Sequence, residues 1–202
     1  MSHRISRRRF LAGTLAAIPL SLTLSACSSQ AEPLVFNGND ITGTHLGRDL
    51  DMTDTTGERR TLADFHGKVL LVFFGYTQCP DVCPTAMAQA AQTMQVLGDQ
   101  ATDVQVIMIS VDPARDTPDV LGPYVQAFDP SFVGLTGTPE QLDKTASSFK
   151  AFYSKEPGPT PDSYAMNHAS AFYLMDRNGE ARALLGPSLT PEDMAHDIRL
   201  LL

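Results

Sequence analysis

The strongest pattern along the chain is six consecutive apolar residues, Val69-Leu70-Leu71-Val72-Phe73-Phe74. An unbroken apolar run of this length is expected of a strand buried on both faces, at the centre of an α/β sheet. Residues 104–111 repeat the pattern around Val106-Ile107-Met108-Ile109. Between the two, Ala86, Met87, Ala90, Ala91, Met94 and Leu97 recur at helical spacing. Pro84 suits the first turn of that helix and Gly98 its end. Asp116-Thr117-Pro118 reads as a cap and start for a second helix, which Gly122-Pro123 should kink or shorten. Phe132-Val133-Gly134-Leu135 predicts a short strand, and Thr138-Pro139-Glu140 caps a helix running towards Tyr153. Residues 171–175 and 181–185 form a hairpin around Asp176-Arg177-Asn178-Gly179, where Asn-Gly supplies positive φ. Thr190-Pro191-Glu192 caps the last helix.

Upstream, residues 49–58 predict a hairpin turning near Gly57, and Leu62-Ala63-Asp64-Phe65 one helical turn closed by Gly67. The order is β-α-β-α-β-α-β-β-α after an N-terminal hairpin. This alternation argues for a mixed sheet with helices on both faces. The closing antiparallel pair is compatible with a thioredoxin-like α/β fold carrying an added N-terminal β-hairpin. No repeat is visible in residues 40–202, which form one domain.

Residues 1–26 show a different pattern. Arg4, Arg7, Arg8 and Arg9 precede an apolar run from Phe10 to Leu20, interrupted by Gly13 and Pro19 and too short to span a bilayer. Such a segment is a signal peptide, to be excluded from fold reasoning. Ser6-Arg7-Arg8-Arg9-Phe10-Leu11 resembles a twin-arginine export signal. Leu24-Ser25-Ala26-Cys27 resembles a bacterial lipobox, which implies cleavage before Cys27 and lipidation of its thiol. Residues 27–39 are then a lipid-anchored tether. The expected location is extracytoplasmic, at the periplasmic face or cell surface.

Whole-chain net charge is −8; without residues 1–26 it becomes −12, from 11 basic and 23 acidic residues. So acidic a surface repels phosphate backbones and disfavours nucleic acid as a partner. It suits a metal cation or a basic docking patch, and it also serves solubility alone. With Cys27 modified, Cys79 and Cys83 remain as a pair.

Both lie in Gly75-Tyr76-Thr77-Gln78-Cys79-Pro80-Asp81-Val82-Cys83-Pro84, between the first central strand and its helix. The carboxyl end of a strand is where open α/β sheets place their sites. A helix N-terminus there favours thiolate. Cysteines four apart can close a disulfide or clasp one ion. Two thiolates select Cu(I), Zn(II) or iron–sulfur over Mg and Ca. Structural zinc wants four ligands, whereas one further soft or borderline ligand gives a three-coordinate site suited to Cu(I). His45, His66, His168 and His196 are the histidines of the chain after Cys27, and spacing alone leaves the choice open. Asp112 reads equally as an acceptor orienting a ligand or partner and as a loop cap; Asp81 reads first as a cap. Met87, Met94 and Met108 read as core, and Met166 is ambiguous.

Phe74-Gly75-Tyr76-Thr77, the Cys79-to-Pro84 turn, Ser110-Val111-Asp112-Pro113, Arg115-Asp116-Thr117-Pro118, Asn167-His168 and Tyr173-Leu174-Met175-Asp176 together resemble the Sco/SenC family over about residues 60–200. These are copper-binding proteins of cytochrome c oxidase assembly. The resemblance implies Cys79, Cys83 and His168 as ligands of one copper, Cu(I) or Cu(II), per chain. It implies a metallochaperone rather than an enzyme, with the copper centre of oxidase subunit II as acceptor. Gln78, Ala169, Asp176-Arg177 and Gly122-Pro123 depart from the usual pattern without touching a ligand. The alternative is a membrane-anchored thiol–disulfide reductase in which Cys79 attacks and Cys83 resolves. Three residues between the cysteines argue mildly against it, since thioredoxin-type motifs hold two.

Overall fold

The computed structural model describes residues 34–159 and 163–202. The expected signal peptide, the expected lipidation at Cys27 and residues 27–33 of the expected tether lie outside the described residues. Among the described residues, no helix is long and apolar enough to cross a membrane.

The strands are β1 (Asn39–Asp40), β2 (Asp51–Asp54), β3 (Arg59–Thr61), β4 (Val69–Gly75), β5 (Val104–Ser110), β6 (Val133–Thr136), β7 (Tyr153–Pro157), β8 (Tyr164–His168), β9 (Phe172–Met175) and β10 (Ala181–Leu185). The α-helices are α1 (Val82–Leu97), α2 (Pro118–Gln126), α3 (Pro139–Phe149) and α4 (Pro191–Arg199). One mixed sheet runs β1-β10-β9-β4-β5-β6-β2-β3. β4, β5 and β6 are mutually parallel, and β9 joins β4 antiparallel.

All seven residues of β4 are buried, so both faces of the sheet are covered there, as the unbroken apolar run requires. Phe74 meets Phe149 and Tyr173 edge to face at centroid distances of 5.3 and 5.9 Å. Each fully buried side chain of this size contributes roughly 1.5–3 kcal/mol. The expected N-terminal hairpin is β2–β3, with Gly57 at φ 87° in its turn, and β2 also extends the sheet beyond β6. Ahead of it, the Asp197 carboxylate, wholly buried, accepts from the backbone amides of Asn37 and Gly38 at 2.8 Å each. The chain is therefore fastened to the domain from Asn37 onward, and β1 pairs with β10.

Three expectations are corrected. The helix running towards Tyr153 stops at Phe149, because Lys150 turns into the left-handed region at φ 52°. Beyond it the chain forms a separate two-stranded sheet, β7–β8, where the sequence reads residues 167–170 around His168 as a loop just before a strand; His168 is the last residue of β8. Asp116 does not cap α2. Thr117 holds the N-cap position, and Asp116 is fully buried beneath the cysteine turn.

Candidate metal centre

The cysteine turn begins where β4 ends. Gly75 is required there: a Cβ would stand 2.7 Å from Phe73 Cε1 and 3.0 Å from Cys83 Sγ. The missing side chain lets the sulfur sit directly against the strand end. Asp116 fixes the next residue but one. It accepts from Thr77 Oγ1 at 2.7 Å and Thr77 N at 3.1 Å, and from Ser110 Oγ at 2.6 Å. Burial raises the pKa of this carboxyl; the bonds from Ser110 and Thr77 oppose that but do not cancel it.

Cys79 is half-buried in the turn, and Cys83 is buried in the first turn of α1. The Cys83 amide donates to Cys79 Sγ at 3.5 Å. Burial pushes the Cys79 thiol up, yet the amides of Cys83, Asp81 and Val82 at the helix start outweigh it, and the net shift is downward. Cys83 is driven upward, by its burial first and by the nearby Cys79 next. Asp81 stands at the N-cap position without a side-chain capping bond; its carboxylate is approached by Thr85 Oγ1 at 3.4 Å.

His168 reaches the cysteines from β8. Its Nε2 lies 3.3 Å from Cys83 Sγ. Its Nδ1 lies 2.8 Å from the carbonyl oxygen of Ala169. A carbonyl only accepts, so Nδ1 carries the proton and Nε2 of the neutral ring presents a lone pair to the sulfurs. Phe73 and Tyr76 pack edge-on against the imidazole, with centroids 5.8 and 5.9 Å away. The two Sγ atoms and a His168 nitrogen all lie within 4.8 Å of one another. Two soft sulfurs and one imidazole whose other nitrogen is tied to a carbonyl form a donor set for one soft transition-metal ion.

The other histidines lie elsewhere. His45 bonds Glu180, His196 bonds Asp197, and His66 is exposed. Met87, Met94 and Met108 belong to the core, and Met166 is half-buried on β8. The Asp112 side chain accepts from Tyr164 Oη at 2.8 Å and pairs with Arg115 Nε. Tyr164 was not singled out by sequence reasoning; the one available signal was its period-two spacing with Met166 and His168, which puts all three on one strand face.

A family model described as SCO1/SenC matches residues 39–202. The chain belongs to the SCO1/SenC family. It is 36% identical over 155 residues to the human mitochondrial SCO1 homolog, an alignment covering 76% of this chain and 52% of that protein. The alignments span from 52% of the human SCO1 homolog to 90% of a Rickettsia typhi SCO2-like protein. Bradyrhizobium japonicum ScoI, solved with copper bound, is 37% identical with a TM-score of 0.70, over 82% of this chain and 99% of that one. A SCO1/SenC family lipoprotein from Bacillus anthracis is 28% identical with a TM-score of 0.66, over 85% and 98% of the two chains. BsSco, a cytochrome c oxidase assembly protein of the Sco family with a disulfide switch, is 26% identical with a TM-score of 0.62, over 81% and 96%. The thioredoxin-like α/β fold expected of the sequence is the fold of these Sco structures.

Proposed function

We propose that this SCO1/SenC protein binds one copper ion through Cys79 Sγ, Cys83 Sγ and His168 Nε2 and carries it to cytochrome c oxidase. The observation carrying this reading is the convergence of the three donors within 4.8 Å, with the imidazole lone pair facing the sulfurs. The donor chemistry suits Cu(I), and copper-bound relatives of the same fold support the choice of metal. The acceptor in this reading is the copper centre of oxidase subunit II, reached by exchange of the three ligands for those of the acceptor. A lipid on Cys27 would hold the carrier at the extracytoplasmic membrane surface, in keeping with the lipoprotein among its relatives. The test is titration of the reduced protein with copper beside the His168→Ala variant. One copper per chain should bind, with thiolate-to-Cu(II) absorption for the oxidised metal, and His168→Ala should lose most of the affinity. Full retention by that variant sinks the reading.

A second reading rests on the disulfide switch of BsSco and on the downward shift of Cys79. Here the Cys79 thiolate attacks a partner's disulfide sulfur and expels one partner thiolate, which takes up a proton. Cys83, losing its own proton, then attacks Cys79 Sγ and releases the second thiolate, leaving Cys79–Cys83 oxidised. Insulin reduction as fast as by thioredoxin, and indifferent to His168→Ala, would favour this over copper carriage.

A further inference from the structure

His168 is delivered by a hairpin that stands apart from the main sheet. Strand pairing joins β7 to β8 and to nothing else among the described residues, so something outside the ladder must fix where the hairpin points. Near its base, the Ala169 amide donates to the Phe152 carbonyl at 3.2 Å, a bond between the hairpin's own flanks. Two side chains attach it to the body. Near the base the Tyr153 hydroxyl donates to the Asp143 carboxylate on α3. The second attachment, at the far end, runs through Tyr164, at the opposite end of β8 from His168 and on the same strand face.

Arg115 makes that attachment. Its Nη1 donates at 3.0 Å both to the Tyr164 carbonyl and to Gln78 Oε1, in the cysteine turn. Its guanidinium carbon lies 3.6 Å from the centroid of the Tyr164 ring and 5.6 Å from that of Tyr76. Its Nε pairs with Asp112, whose other carboxylate oxygen accepts the Tyr164 hydroxyl. One cation thus bridges the β5–α2 loop, the turn bearing Cys79 and the strand bearing His168. The arrangement leaves Arg115 Nη2 buried and unbonded among the described residues.

We propose that Arg115, with Asp112 and Tyr164, is the positioning group that latches the β7–β8 hairpin over the cysteine turn and so sets how tightly His168 holds copper. This rests on the copper reading above. Opening the latch would let the hairpin swing and withdraw the imidazole, converting a three-ligand site into a two-sulfur site from which copper leaves more readily.

The experiment measures Cu(I) release from the full-length reduced protein to bicinchoninate. The variants are Arg115→Met, which keeps the stem and loses the fork, and Tyr164→Phe, which removes one hydroxyl and keeps the ring. Each should release copper about tenfold faster than wild type, the usual scale for groups that orient a metal ligand. Each should also show weakened nitrogen coupling in the Cu(II) spectrum. Neither should accelerate release further when added to His168→Ala, because the latch acts only through that ring. Release at the wild-type rate overturns the proposal, as does an acceleration that persists undiminished in the His168→Ala background. Tyr164→Phe settles the matter alone if Arg115→Met fails to fold. If His168→Ala itself releases copper like wild type, the copper reading has failed; if it releases fast and the latch variants do not, only the latch has.

Discussion

At Gly75 one hydrogen in place of a methyl decides the geometry of the site. The position has no positive φ, so backbone freedom is not the reason for glycine there. The reason is proximity: Phe73, Cys83 Sγ and Met108 Cε all crowd the place a Cβ would take. Gly75→Ala must displace Cys83 or distort two core side chains, at a cost of about 1–3 kcal/mol for overpacking. The variant should unfold at lower urea and bind copper more weakly, because Cys83 moves out of line with His168 Nε2. An unchanged urea midpoint together with wild-type copper affinity would show that the contact is relieved without moving Cys83. The imidazole itself is set by one bond, from Nδ1 to the Ala169 carbonyl, which selects the tautomer able to bind metal. That bond is made by a backbone carbonyl, so it does not depend on the side chain at position 169.

At the scale of elements, helix caps are both legible and testable. Thr190 accepts from the Asp193 amide at 3.1 Å while the Asp193 carboxylate accepts back from the Thr190 amide at 3.0 Å. The sequence marks the cap in Thr190-Pro191-Glu192; its partner Asp193, three residues after Thr190, is shown by the structure. Thr190→Ala should cost about 1 kcal/mol and lower the melting temperature by roughly 2–4 °C, read by circular dichroism, with copper binding intact. A melting temperature unchanged within error would mean that α4 is held by its packing on α1 alone. The β7–β8 hairpin shows why other elements were hidden. Tyr153-Ser154-Lys155-Glu156-Pro157 and Tyr164-Ala165-Met166-Asn167-His168 hold no continuous apolar run, and neither strand contains a fully buried residue. Strands that lean on a domain instead of lying in its core lose the pattern that exposed β4 and β5. The cysteine turn was legible because its chemistry is local. The reach of His168 to it was not, since 85 residues separate Cys83 from His168 and only the fold joins them. Asp116 misled for a related reason: Asp before Thr-Pro reads as a cap, but a hydroxyl and an amide from 39 residues away compete for the carboxylate and win.

For the whole molecule, metal retention and folding respond to acid in separate ranges. Asp54 is 5% exposed, and burial alone would raise its pKa. The Thr56 hydroxyl, the Arg60 guanidinium and the amides of Glu58 and Thr56 outweigh that, leaving it at about 2 against an ordinary 3.8. A carboxyl whose folded pKa is depressed stabilises the fold above its unfolded value and ceases to do so as pH falls through the folded one. Asp54 therefore supplies roughly 2 kcal/mol at neutral pH, lost between about pH 4 and pH 2. Copper obeys a different balance, because each thiol must shed its proton to bind as thiolate and affinity falls as acid returns it. Lowering the pH from about 7 to 5 should thus loosen copper without lowering the urea midpoint of the copper-free protein, since Asp54 titrates below this range and the raised carboxyl of Asp116 adds stability as it takes up a proton. Only below about pH 4 should the midpoint drop, and the drop should be shallower in Asp54→Asn, which has already forfeited the charge. Parallel copper competition and urea unfolding at each pH would check both curves. If the copper-free midpoint fell together with copper affinity between pH 7 and 5, metal loss would be a consequence of unfolding, and copper could not leave an intact domain.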